Sequence, residues 1–350
     1  MATKAADLTF TILAGLLGLT FLALYAVSIR TACDLFSKAY FNSDGFHYYS
    51  ALRNAAFHAS TWEGPVFEHL LGNHFYLTIY LLTPLVRLFP SPLTLLLVNL
   101  TAQFVTAAGL YVLVSYHVKG HRHFIGAAVA LAYVLTPMVM KGYFAGIHML
   151  QPDYLLPPLL VFFVIGASTN RHGFALVMVA LIILLKEEYI VVGPLIFGTF
   201  VLLYRIHTGR WIAWKSVRVG AWVYGVASVV SVSLLFHFRA LNHANHVMWA
   251  IHPHPEFLAD LPSLFHAFVN NLPLLWFAIP PLLLLCVAGE RWYWVAFSAI
   301  LATLWTRGIM NLVIYGRPQG THWAWTLLPP LTYVVIATLL VHATRRSRAR

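Results

Sequence analysis

The sequence has 350 residues, of which 60% are hydrophobic and only 9% are charged. About a quarter of the residues in soluble domains are charged, so this composition excludes an ordinary soluble protein and indicates an integral membrane protein. The net charge of +11 does not indicate nucleic-acid binding, because the cations gather only in short loops and in the C-terminal tail. The two cysteines, Cys33 and Cys286, predict neither a disulfide framework nor a metal site.

In chain order, the first predicted element is a transmembrane helix at residues 8–29, which stay apolar and follow a short head with a single lysine. No small-residue cleavage pattern follows this run, so we expect a retained helix or signal anchor rather than a cleaved signal peptide. Together with later apolar runs it predicts an all-α polytopic membrane helical bundle of about ten transmembrane helices. Those later runs are at residues 93–116, 124–140, 152–168, 173–185, 189–204, 217–236, 272–289, 292–306 and 323–342.

Residues 74–92 are apolar for only about 13 residues before Arg87 and are interrupted by Pro84. A run this short is typical of an interfacial or re-entrant helix rather than of a span. If residues 76–88 do not cross, the basic loops and the basic tail fall on the side of the N-terminus, as the positive-inside rule requires. We therefore expect a multi-pass protein of the cell membrane with both termini cytoplasmic.

That topology places nine of the eleven carboxylates on the external face, a bias that a passive scaffold does not need. Residues 31–92 and 237–271 form two external segments long enough to hold helices of their own, and loops of that length are usually functional. We treat residues 1–350 as a single integral membrane domain with its working site outside.

The stretch SDGFHYYSALRNAAFH, residues 43–58, predicts a short amphipathic interfacial helix with Asp44 at or near its N-terminus. Its carboxylate either takes part in chemistry or only caps the free amide groups of the first turn. His74 begins the next interfacial segment, where its ring either donates to a phosphate or acceptor hydroxyl or serves as a surface anchor. His148 and Asp153 lie at the outer end of a later crossing, where Asp153 again suits a helix cap.

Lys186, Glu187 and Glu188 interrupt two apolar runs with almost no loop between them. Charges at that depth cost several kcal/mol unless they are paired or in water, and they indicate a functional site by default. A tight polar turn between two helices is the plain alternative. Before the final crossing, Arg317 suits a phosphate contact and His322 lies beside interfacial tryptophans.

Residues 237–271 are rich in histidine and include an HxH pair followed by an acid, namely His252, His254 and Glu256. That spacing superficially suits a divalent metal, but it is common, and the chemistry considered below needs no cofactor.

Several stretches together resemble the DUF2079 family of membrane proteins over residues 43 to 340. The resemblance lies in SDGFHYYSALRNAAFH, in GNHFYLTIYLLTPLVRLFPSPLTLLL, in QPDYLLPPLL, in LLKEE and in THWAWTLLPPL. It carries over five positions of the family's motifs, which are Asp44, His74, Asp153, Lys186 and Glu187. Tyr49, Arg53 and Gln151 depart from the pattern at positions where the family has aspartate, tryptophan and histidine, and His148 is a substitute for the last of these.

That family is similar to the GT-C glycosyltransferases, which take sugars from polyprenyl-phosphate carriers at the outer membrane face. The resemblance implies a lipid-linked sugar donor and membrane lipid as partners, with Asp44 as the general base. The candidate catalytic residues are then Asp44, Asp153 and Glu187, and the candidate substrate-binding residues are His74, His148, Lys186, Glu188, Arg317 and His322. The alternative is a transporter or flippase of a lipid-linked or anionic substrate, which typically has ionisable groups near the bilayer midplane and internal repeats.

Overall fold

The computed structural model describes residues 2–38, 43–58, 71, 76–118, 121–136, 139, 152–169, 171–186, 189–190, 214–241, 260–263, 265 and 269. These residues are helical or lie in turns, with no strand among them, so the predicted all-α class is confirmed. The α-helices are α1 (Ala2–Ser37), α2 (Ser43–His58), α3 (Thr83–Leu88), α4 (Pro92–His117), α5 (Arg122–Val134), α6 (Leu156–Ser168), α7 (His172–Ile183) and α8 (Trp214–Leu241). Two 3-10 helices, Leu77–Leu82 and Pro152–Leu155, lead directly into α3 and α6.

Three of the described helices, α1, α4 and α8, hold stretches long and apolar enough to cross a bilayer, and each of these helices contains a predicted crossing. These are Asp7–Ser37 with 31 residues, Pro92–Tyr116 with 25 and Arg218–Phe238 with 21. At a rise of about 1.5 Å per residue each exceeds the ~30 Å of bilayer hydrocarbon. The chain is therefore a multi-pass membrane protein. The predicted crossings after residue 271 lie outside the described residues, and so does most of 189–204, so the count of ten stays a prediction.

The chain divides into two compact units. The first contains residues 1–27, 103–141 and 251–350, and the second contains residues 28–102 and 142–250. Within the first unit, Phe104 of α4 packs against Phe21 and Tyr25 of α1, with ring centroids 5.2 and 4.7 Å apart. The buried Tyr133 hydroxyl of α5 donates to Gln103 Oε1 at 2.7 Å, which ties α5 to α4.

A glycine sets the distance between α4 and α5. A Cβ atom on Gly126 would lie 2.5 Å from Ser115 Oγ and 3.1 Å from the Tyr111 carbonyl oxygen. Real Cβ atoms essentially never lie 2.5 Å from another heavy atom, so any other residue here would force Ser115 or the facing backbone to shift.

In the second unit, α6 and α7 form a tight hairpin. The Arg171 N–H donates to the Gly166 carbonyl at 2.8 Å and closes the turn. Gly166 also allows α7 to approach, because a Cβ there would lie 3.0 Å from the backbone nitrogen of Ala175. α7 packs in turn against α8, and α2 packs against α3 and the 3-10 helix before it.

Candidate functional site

The helix predicted around Asp44 is present as α2, Ser43–His58. Asp44 is its second residue, so it lies in the first turn, where a carboxylate interacts favourably with the positive end of the helix. The catalytic role of its carboxylate stays a prediction. Ala51 and Leu52 form the fully buried part of α2, whereas Arg53 is exposed.

One turn after Asp44, Tyr48 joins α2 to the segment that follows His74. Its ring meets the ring of Tyr76 edge to face, with centroids 5.4 Å apart and an angle of 79° between the planes. The two hydroxyl oxygens are 3.4 Å apart, which is long for a hydrogen bond between hydroxyl groups. Tyr76 is 1% exposed, so its side of the ring contact is shielded from solvent.

The same segment is bonded to the end of α7. The Thr78 N–H donates to the Leu184 carbonyl at 3.0 Å, and the Thr78 Oγ1 donates to the Leu181 carbonyl at 2.8 Å. The last four carbonyls of a helix have no partner inside the helix, and Thr78 supplies partners at this end. The 3-10 helix at Leu77–Leu82 therefore lies against the end of α7.

Lys186 lies two residues after Leu184 and is 0% exposed, which makes it the only charged side chain that is fully buried among the described residues. An ammonium group at such a site is costly unless an acid, a hydrogen-bonding group or a bound anion compensates for its lost hydration. The Tyr189 N–H donates to the Lys186 carbonyl at 3.0 Å, which forms a turn just after α7. The side chains of Glu187 and Glu188, the nearest acids along the chain, lie outside the described residues.

A residue of α8 fastens the chain on the other side of this turn. The Tyr224 hydroxyl donates to the Ile190 carbonyl, and Tyr189 beside it is 1% exposed. The turn that contains Lys186 is therefore held by Thr78 before it and by Tyr224 after it.

Tyr49 and Arg53, two positions that depart from the family pattern, are one turn apart on α2. Partial burial raises the pKa of Tyr49 above its ordinary value, and the positive charge of Arg53 partly opposes that rise. Tyr49 is thus a neutral phenol at physiological pH, unlike the carboxylate of the family pattern.

The remaining predicted residues are not brought into this site by the described part of the structure. Asp153 belongs to the 3-10 helix Pro152–Leu155, so the chain enters α6 through a 3-10 turn, and the α-helix begins only at Leu156. Among the described residues no group of three or more His, Cys, Asp or Glu side chains is suited to hold a metal ion. His74, His148, Arg317 and His322 lie outside the described residues, as do the metal-type residues His252, His254 and Glu256.

Sequence reasoning missed three residues that organise the site, which are Tyr48, Tyr76 and Thr78. The available signal was modest: Tyr48 follows Asp44 by one helical turn, and Thr78 is a polar residue inside an apolar run. Neither feature predicts which residue is contacted, because both contacted residues are distant in sequence.

Comparison with known proteins agrees with this architecture. The model of a family described as predicted membrane protein (DUF2079) matches residues 38–304. In the solved structures, the chain is similar to ArnT from Cupriavidus metallidurans bound to undecaprenyl phosphate, with a TM-score of 0.51 and 16% identity. The similarity covers 92% of this chain but only 59% of that chain, so this protein spans about three-fifths of its structural relative. At this level of identity the similarity shows the fold alone, which resembles that of ArnT. No curated protein matches the chain.

Proposed function

We propose that this chain, which belongs to the DUF2079 family of predicted membrane proteins, is a membrane glycosyltransferase. It moves a sugar from a polyprenyl-phosphate carrier to an acceptor at the external membrane face. The observation that carries this proposal is the fully buried Lys186, held beside the segment that follows His74. The GT-C-like fold supports it, since the structural relative is bound to undecaprenyl phosphate.

The leaving group in such a transfer is a lipid phosphate. The acceptor hydroxyl attacks the anomeric carbon, the bond from that carbon to the phosphate oxygen breaks, and its electron pair stays on the phosphate. The negative charge on the phosphate therefore grows in the transition state. A fixed cation in a site shielded from water stabilises that charge far more than a cation in bulk solvent, which is the role we assign to Lys186.

Asp44 is the proposed general base. It takes the proton of the acceptor hydroxyl during the attack, which requires a positioned carboxylate of suitable pKa. The contacts of the second unit support its nearness to Lys186. Tyr48 of α2 contacts Tyr76, which directly precedes the 3-10 helix, and Thr78 of that 3-10 helix is bonded to the end of α7. Asp44 lies one turn from the first contact, and Lys186 lies two residues beyond the second.

The other candidates complete the scheme. Glu187 or Glu188 holds Lys186 in place, and His74 and Arg317 assist in binding the phosphate. His148 and His322 take part in substrate binding, and Asp153 is a further catalytic candidate. No metal is needed for these steps.

The experiment compares lipid-linked sugars extracted from cells that lack the protein and from cells complemented with wild type or variants. Without the protein, one polyprenyl-phosphate sugar should accumulate, and wild type should deplete it. Membranes supplied with that isolated donor in labelled form then measure the transfer rate. Asp44→Asn should lower this rate by about 10²–10⁴-fold, the usual contribution of a general base. Lys186→Met should lower it by about 10²–10³-fold, as expected for the loss of one transition-state donor.

Asp34 and Lys38 supply matched controls, because they form an exposed ion pair at 2.7 Å near the end of α1. Asp34→Asn and Lys38→Met should leave transfer unchanged. Wild-type transfer by Asp44→Asn would exclude Asp44 as the base, and an unchanged donor pool in cells that lack the protein would exclude the transferase.

Transport of a lipid-linked or anionic substrate is the second candidate, and the complete burial of Lys186 is the observation that favours it. The two functions differ in their product. A flippase moves the intact lipid-linked sugar across the bilayer of reconstituted vesicles, whereas a transferase releases free polyprenyl phosphate. Movement of the donor without release of the phosphate would decide for transport.

A further inference from the structure

A groove of about 910 Å³ lies in the first unit, between the N-terminal half of α1 and the facing parts of α4 and α5. One end is polar and is formed by Asp7, Tyr111, His121, Arg122 and His123. The rest is apolar and includes Phe10, Phe21 and Leu22, together with the small residues Gly15 and Gly18. None of these residues belongs to the proposed transferase site.

The length of the groove matches one leaflet of a bilayer. From Asp7 to Leu22, α1 rises by about 1.5 Å per residue and so covers about 23 Å. Half of a bilayer with its headgroup region measures about 20–22 Å. Because the polar residues gather at one end only, the groove has the polarity of a single lipid molecule, with a headgroup end and an acyl-chain end.

The cationic side of the polar end is held by a short chain of hydrogen bonds. Arg122 Nε donates to His123 Nε2 at 3.2 Å, and His123 Nδ1 lies 2.8 Å from the Tyr111 hydroxyl. The His123 ring therefore lies between Arg122 and Tyr111 and contacts both through its two nitrogens. The two Nη groups of Arg122 take no part in these hydrogen bonds. They can therefore bind a phosphate, because guanidinium N–H groups match the geometry of its oxygens.

His121 stands at the same end in a backbone conformation that is uncommon for a residue other than glycine. Its φ is 45° and ψ is 27°, and its ring stacks on Phe10 with centroids 3.7 Å apart. Left-handed residues of this kind cost about 1–3 kcal/mol and gather at ligand-binding sites. The stacking holds the imidazole of His121 at the start of α5, beside Arg122.

The charges at the polar end have opposite signs but do not neutralise each other. Asp7 and Arg122 both line it, yet they form no ion pair with each other in the part of the chain described here. A purely anionic headgroup would meet Arg122 favourably and Asp7 unfavourably. A headgroup with both a phosphate and an ammonium group satisfies both residues.

We propose that this groove holds a resident phospholipid with a zwitterionic, amine-bearing headgroup of the phosphatidylethanolamine type. Arg122 and His121 bind its phosphate, Asp7 binds its ammonium group, and one acyl chain lies along Gly15 and Gly18. A Cβ on either glycine would meet nothing within 4 Å, so an acyl chain has room to lie against the helix backbone there. The proposal is independent of the transferase reaction.

The test measures the lipid that stays with the purified full-length protein. Protein reconstituted in vesicles of equal parts phosphatidylethanolamine and phosphatidylglycerol is extracted in detergent, and the bound lipid is quantified by mass spectrometry. Wild type should keep about one phosphatidylethanolamine per chain. Gly18→Leu should lower this amount about tenfold, because its side chain fills the groove. Gly225→Leu on α8 is the matched control, since a Cβ at Gly225 also meets nothing within 4 Å, and it should keep the lipid.

The headgroup is tested by charge changes that leave the groove open. Arg122→Gln should weaken retention of both lipids about tenfold, since a charge-assisted bond to the phosphate is lost. Asp7→Asn should remove the preference for phosphatidylethanolamine over phosphatidylglycerol while a lipid is still bound. Three results would overturn the proposal: bound lipid in the ratio of the vesicles, equal retention by Gly18→Leu, or a polyprenyl phosphate as the retained lipid.

Discussion

The Thr78 backbone N–H donates to the Leu184 carbonyl, so the 3-10 helix Leu77–Leu82 supplies a hydrogen-bond partner that the end of α7 lacks. The Thr78 hydroxyl adds a second bond to Leu181, although 103 residues separate the two. These bonds fix the segment after His74 beside the turn that contains Lys186. Both stretches were predicted to contribute to one site.

Thr78→Val should destabilise the protein because it removes the hydroxyl donor and leaves the Leu181 carbonyl without that partner. The shape of the side chain is kept, and Thr78 is buried, so the expected loss in the free energy of unfolding is about 0.5–1.5 kcal/mol. Denaturation in detergent measures it. Thr20→Val is the control, since the exposed Thr20 hydroxyl bonds to Leu16 within its own helix, and it should cost nothing measurable. Equal losses in the two variants would contradict the role given to Thr78.

The Tyr48–Tyr76 pair should show a coupling energy in a double-mutant cycle. Replacing each tyrosine and both with alanine should reveal about 0.5–1.5 kcal/mol of coupling, the range for an edge-to-face pair. The same cycle with phenylalanine should show little coupling from the hydroxyl groups, because their oxygens are 3.4 Å apart. Additive alanine variants would mean that this contact does not join α2 to the following segment.

Gly166→Ala should destabilise the α6–α7 hairpin by about 1–3 kcal/mol, because its Cβ would press on the backbone nitrogen of Ala175 at 3.0 Å. Gly225→Ala should instead stabilise the protein. Its Cβ meets nothing within 4 Å, and alanine favours a helix over glycine by up to about 1 kcal/mol. Melting temperatures of the two variants in the same detergent check this, and a stabilised Gly166→Ala protein would show that the hairpin is less tightly packed.

Tyr49 should make stability depend on pH in the alkaline range. Burial raises its pKa in the folded protein above the ordinary value of 10.0, so the unfolded chain loses this proton first. The stability that Tyr49 contributes is therefore fully present below pH 10 and is lost as pH rises through the folded pKa. Above pH 10, the free energy of unfolding of Tyr49→Phe should therefore fall less steeply with pH than that of wild type.

Arg53→Gln tests whether the charge of Arg53 affects the pKa of Tyr49. The positive charge of Arg53 lowers the pKa of Tyr49, so its removal should move the phenol titration to higher pH. The difference between the phenolate absorbance of this variant and that of Arg53→Gln with Tyr49→Phe isolates the one tyrosine. A shift to lower pH would contradict the assigned cause.

Much of the secondary structure followed from local properties of the sequence. The crossings predicted at residues 8–29, 93–116 and 217–236 lie within α1, α4 and α8. The helix at residues 43–58 was expected from its composition and spacing, and α2 covers the same residues. Helix formation depends on neighbours three and four positions away, and span length depends on bilayer thickness, so both are readable along the chain.

The sequence by itself determined the membrane class, the all-α fold, the family and the presence of a charged cluster at Lys186. Only the tertiary structure decided that Thr78 caps the end of α7, that Tyr48 meets Tyr76, and that Lys186 is completely buried. It also decided that α1, α4 and α5 enclose a groove with a charged end. The physical reason is that apolar helices in lipid are almost interchangeable in hydropathy. Their partners are chosen by small residues and a few polar bonds, whose pairing across long sequence separations leaves no local pattern.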